Sequence, residues 1–127
     1  MSGPCRPLDI GGSLSLGCLG MEGDLVRGHL DLMVLAVLSA GPLHGYGLVE
    51  ELRRRSRGRL ELPEGTMYPA LYRLERQGLI GSYWSSDAPR RRRVYQLRAA
   101  GHAALGRKRK AWQDVMTAIN TVIGDTP

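Results

Sequence analysis

A chain of 127 residues with a formal charge of +6, from 18 Lys+Arg against 12 Asp+Glu, has room for about one compact domain and carries a marked cationic excess. The excess is clustered at Arg53–Arg55, Arg90–Arg93 and Arg107–Lys110, a distribution that suits a polyanionic partner better than it suits general solubility. No stretch approaches the roughly 18 apolar residues of a spanning helix and no basic segment leads into an apolar one at the start, so neither a membrane anchor nor a secretory signal is expected, and the cytoplasm is the expected compartment.

Residues 1–22 (MSGPCRPLDIGGSLSLGCLGME) have neither helical nor strand periodicity and are rich in Gly and Pro, the pattern of a disordered leader. Met21 is a natural alternative start, and an N-terminal mass spectrum of the native protein decides between it and Met1. Cys5 and Cys18 lack partners at metal-ligand spacing and read as incidental thiols in a reducing compartment.

Residues 28–39 are apolar almost all the way round, which predicts a helix buried on most sides. Gly41–Pro42 ends it. A second, amphipathic helix is predicted over about residues 44–56, with Leu48, Val49 and Leu52 inward and Glu50, Arg53 and Arg54 outward. The stretch EGTMYPALYRLERQGLI predicts a third helix, in which Met67, Leu71 and Leu74 form an apolar stripe. Gly65, Thr66, Pro69, Tyr72, Arg73 and Arg76 then lie opposite, with Tyr68 at the border. A helix interior normally rejects proline, but a start near Glu64 puts Pro69 early, where a lost donor costs least. Residues 79–84 and 94–97 are β-prone, and the intervening SSDAPRRR predicts a hairpin tipped by Arg90, Arg91, Arg92 and Arg93. Residues 98–123 predict a long final helix, with Trp112, Val115, Met116, Ile119, Val122 and Ile123 repeating close to a heptad seam.

This order predicts a mainly α fold with a small β-hairpin wing: a winged helix-turn-helix over residues 25–97, then a long dimerisation helix over 98–123. A major groove about 12 Å wide accepts one helix, and exposed polar residues near the start of the third helix would meet its base edges. Arginines on a wing suit phosphate or the minor groove. A helix N-terminus near His44 and Tyr46 would donate to a backbone phosphate. The seam of the last helix exceeds what a small core can bury, which predicts a homodimer with recognition helices about 34–36 Å apart. His29, His44 and His102 are scattered, and no nucleophile elbow, phosphate loop or carboxylate pair occurs, so no enzyme, metal or cofactor is expected.

Three stretches in order, LDLMVLAVLSAGPLHGYGLVEELRRRS, EGTMYPALYRLERQGLI and RRRRVYQLRAAG, resemble the PadR family of bacterial transcriptional regulators, across residues 25–123. The single helix after the wing resembles the short subfamily. The resemblance implies a homodimeric repressor on a palindromic promoter site, released by a small molecule or another signal. It carries the recognition helix onto residues 65–71 and Arg73, the wing arginines onto Arg91–Arg93, and the following strand onto Tyr95. Two positions depart from the family pattern. Pro63 stands where a Ser or Asn cap is usual, and Arg98 where Thr usually opens the last helix, which forgoes a side-chain cap worth about 1 kcal/mol.

The resemblance also implies that an aromatic such as Trp112 lines a groove between subunits where planar ligands stack. Trp112, Arg109 and Met116 are thus a candidate effector pocket, and the run Arg107–Lys110 would suit an aromatic or anionic effector. The plainer alternative is that Trp112 is dimer packing and the run a solvated helix face. A second reading of the whole protein is a winged-helix docking module whose basic wing meets an acidic protein. A steep salt dependence and preference for one promoter fragment discriminate DNA from that partner.

Overall fold

Leu30–Leu38, with no polar face to offer water, folds as helix α1 and buries Leu30, Val34, Leu35, Val37 and Leu38. The computed structural model describes residues 29–86 and 91–124; the expected leader, Met21, Cys5, Cys18 and Arg90 lie outside the described residues. Helix α1 packs against the later elements on several sides, namely α2 (Gly45–Arg55), α3 (Glu64–Arg76), strand β3 (Arg92–Leu97) and α4 (Ala99–Ile123). Each Leu or Val buried in this way contributes roughly 1.5–3 kcal/mol, so α1 is the hub of the core. Leu48 and Leu52 of α2 and Met67, Ala70, Leu71 and Leu74 of α3 complete it, while Val49 is only partly buried.

Helix α3 begins at Glu64, as expected, with Pro63 in the cap position and no side-chain cap. The Thr66 N–H bonds the Pro63 carbonyl at 3.0 Å, closing a tight first turn. Pro69 is nevertheless the sixth residue of the helix, beyond the orphan donors of its first turn. It therefore removes a bond that the Gly65 carbonyl would otherwise accept, contrary to the expectation that its position makes the loss cheap.

The sheet has three antiparallel strands in the order β1-β3-β2, where β1 is Leu43–His44 and β2 is Ile80–Ser85. The sequence pattern predicts only the β2–β3 hairpin. Strand β1 is two residues long, too short to show alternation, and it pairs Leu43 with Tyr95 and His44 with Val94. Strand β3 opens at Arg92, earlier than expected, and pairs it with Ser85. Arg92 and Arg93 therefore lie in the strand rather than at the hairpin tip, because the ladder with β2 extends further than the apolar pattern does.

Helix α4 docks on the core through its first turns, where Gly101, Ala104 and Leu105 are buried. A Cβ on Gly101 would lie 2.1 Å from the Leu79 carbonyl oxygen and 2.6 Å from Leu97 Cδ1, so glycine is the residue that lets the helix reach the sheet. The same carbonyl accepts the Arg98 N–H at 3.0 Å. The rest of the 25-residue helix, about 1.5 Å per residue, runs on past the core. Among the described residues, no helix is long and apolar enough to cross a membrane.

Candidate nucleic-acid interface

Helix α3 turns its apolar row inward, which leaves Gly65, Pro69, Tyr72 and Arg76 along the outer ridge. Tyr72 is 64% exposed, far more than an aromatic ring in a monomer needs to be. Its hydroxyl accepts from Arg76 Nη1 at 3.4 Å, and the guanidinium lies 5.7 Å from the ring centroid. Replacing Tyr72 by Ala removes a ridge contact and should weaken binding to a preferred duplex about 10- to 100-fold, with little change on random duplex, as read by fluorescence anisotropy.

The start of α2 supplies a second part of the face. His44 caps this helix: its Nδ1 accepts the Gly47 N–H at 3.1 Å. The Nε2 of the same ring lies 3.2 Å from Arg92 Nη1, so the wing meets the start of α2 at His44. Tyr68 packs over this corner, since a Cβ on Gly45 would lie 2.7 Å from its hydroxyl oxygen. Helices α2 and α3 and the wing frame an open cleft of about 440 Å³ bordered by His44, Tyr46, Tyr68, Arg91, Arg92 and Arg93.

The wing adds an aromatic that sequence reasoning passes over. Trp84 is exposed on β2, with the Arg91 guanidinium 5.0 Å and the Arg93 guanidinium 5.8 Å from its ring. Its proximity to the arginine run in a hairpin was the available signal.

The flanks of α3 are tied down. On one side Glu75 accepts from the Ser82 hydroxyl at 2.6 Å and pairs with Arg93 at 3.4 Å, while Arg93 Nε also donates to Ser82 at 3.0 Å. On the other side Arg73 Nη2 donates to Asp31 of α1 at 2.6 Å, and that hydrogen bond raises the guanidinium pKa. Thr66 sits on this same flank, half-buried. Arg73 and Arg93, both expected to face DNA, therefore hold protein carboxylates. Exposed pairs of this kind are worth only about 0–1 kcal/mol each, so their effect is chiefly on orientation.

The other arginine clusters divide as well. Glu51 bonds both Arg54 and Arg55, the latter at 2.8 Å, and the Arg54 hydrogen bond leads in lowering its carboxyl to about 2. Glu50 pairs with Arg53 at 3.5 Å, so the Arg53–Arg55 run is largely compensated by its own helix. Tyr95 is core rather than contact, and burial raises its hydroxyl pKa.

A separate groove of about 250 Å³ lies between α1 and α4, bordered by His29, Asp31, Lys108, Ala111, Trp112 and Val115. Trp112 meets the His29 ring edge-on at 4.7 Å. The structure brings Trp112 here with Lys108; Arg109 and Met116 do not border the groove, because they lie one row round the helix. The seam residues Val115, Ile119, Val122 and Ile123 are exposed, Val122 at 84%.

The Transcriptional regulator PadR-like family model matches residues 34–107. Transcriptional regulator Rv3488 of Mycobacterium tuberculosis is 37% identical over 89 residues, 70% of this chain and 80% of that protein. Among solved structures, a transcriptional regulator from Clostridium thermocellum superposes with a TM-score of 0.74 at 29% identity, covering 80% of this chain and 96% of that one. A PadR family transcription regulator from Clostridium difficile R20291 gives 0.66 at 32% identity, with 76% and 99% covered.

Proposed function

This chain belongs to the PadR-like family of transcriptional regulators, and from that premise we propose that it is a homodimeric repressor that binds a palindromic promoter site through the face built by α2, α3 and the wing. The observation that carries the reading is the convergence of three elements on one cleft, where His44 at the α2 N-terminus meets Arg92 of the wing. A phosphate in that cleft would accept from Arg91 and Arg92, fixing the register in which Gly65, Thr66, Pro69, Tyr72 and Arg76 meet the major groove. Arg90, Arg91 and Arg92 would serve the adjacent backbone or minor groove. Residues 25–97 act as the DNA-binding unit and residues 98–123 as the dimerisation helix, whose exposed seam a second copy covers. The groove beside Trp112 is the place for a small-molecule effector that relieves repression, with Lys108 supplying its positive edge. The reaction class is binding; the family is one of regulators, not enzymes.

The test is a gel shift on the protein's own upstream DNA against random duplex of equal length, at two salt concentrations. Retained preference for the upstream fragment at the higher salt supports an operator there. Equal binding to both that salt erases counts against it and favours the docking reading. Wing chemistry gives a further check. Replacing Arg91 and Arg92 by Gln should weaken binding to all sequences alike and reduce the log–log salt slope by about 2, close to 0.9 per phosphate contact. Replacing Arg93 by Gln should leave the slope nearly intact, because that side chain is occupied by Glu75 and Ser82.

A further inference from the structure

Asp31 stands between the two regions described above. Its carboxylate holds Arg73, on the flank of α3, at 2.6 Å, and the same residue borders the α1–α4 groove with Trp112 and Lys108. Among the described residues that border the groove, Asp31 is one whose side chain bonds directly to α3.

We infer that Asp31 is a positioning residue that couples the recognition helix to the α1–α4 groove through its ion pair with Arg73, an inference that rests on the DNA-binding reading. Arg73 has a planar fork of five donors, and Asp31 engages one of them through Nη2. A phosphate or base acceptor at the edge of α3 competes for that fork. As Arg73 turns toward DNA, Asp31 is left in a groove whose other full charge, among the described residues, is Lys108, and the surroundings of Trp112 change. Linkage makes the effect reciprocal: whatever fills the groove and draws on Asp31 alters how Arg73 is presented to DNA. The pair is thus a two-position contact, not a static brace.

The experiment uses the full chain labelled with 5-fluorotryptophan, whose two tryptophans, Trp84 and Trp112, give separate fluorine resonances assigned with Trp112→Phe. Duplex DNA that the protein retains in a gel shift is titrated in. In the wild type both resonances should move, Trp84 because the wing contacts DNA and Trp112 through Asp31. In Asp31→Asn, which keeps the shape and removes the charge, the Trp84 shift should persist and the Trp112 shift should vanish. Arg73→Gln, at the other end of the link, should bind more weakly, but at saturating duplex, judged by a full Trp84 shift, it should lose the Trp112 shift as well, and it carries the test if Asp31→Asn no longer binds. A Trp112 resonance that stays still in the wild type, or moves equally in both variants, overturns the coupling while leaving the DNA reading intact. If neither resonance responds and no duplex is retained, the DNA reading itself falls, and the coupling with it.

Discussion

Gly101→Ala is expected to destabilise the fold by about 3 kcal/mol, the upper range for forcing atoms into a packed site. The added methyl would meet the Leu79 carbonyl oxygen at 2.1 Å and Leu97 Cδ1 at 2.6 Å, and backbone cannot swing aside as a flexible side chain can. Relief requires α4 to lift from the sheet, which exposes Ala104 and Leu105 and breaks the bond from the Arg98 N–H to Leu79. Gly106→Ala, five residues on in the same helix, is the control: nothing lies within 4 Å of its Cβ position. There alanine should stabilise by about 0.5–1 kcal/mol, through helix propensity alone. Urea denaturation of the two variants reads the contrast directly. Equal midpoints would mean that α4 does not seat against Leu79 as described.

A second large effect is expected on assembly. Glutamates at Val115 and Ile119 should halve the mass by light scattering, to the 14.0 kDa of one chain, with helical content unchanged because both side chains are exposed in the single chain. Operator affinity should fall with it by about 10²–10⁴-fold, since the second half-site is no longer held at high effective concentration. The physical reason is the seam: Val115, Ile119, Val122 and Ile123 all reach water in one chain, and the proposed partner helix would remove them from it. An unchanged mass in the variant would place the interface elsewhere, and a wild-type mass of one chain would end the dimer reading.

Much of the fold is legible in the sequence because its signals are local. The almost wholly apolar LDLMVLAVL announces the buried α1, and the row Met67, Leu71, Leu74 fixes which side of α3 faces in. The site is legible less fully. Tyr72 and Arg76 stand on the outer ridge as their spacing requires, but Arg73 and Arg93 are drawn to Asp31 and Glu75, residues 42 and 18 positions away. Ion pairs over such distances leave no periodic trace. The same holds for His44, whose cap on α2 and approach to Arg92 depend on a two-residue strand. Gly101 looks like an ordinary weak point in a helix until the Leu79 carbonyl is seen beneath it.

The central claim, that paired faces of α2, α3 and the wing read a two-fold DNA sequence, is tested most directly by selection from a pool of random duplexes with the purified protein. Repeated rounds at moderate salt should enrich an inverted repeat whose half-site centres lie about 10–10.5 base pairs apart, or a multiple of that. The enriched sequence should be bound less well by Tyr72→Ala than by the wild type. A pool that shows no common sequence after selection, with binding that salt abolishes, would contradict the claim.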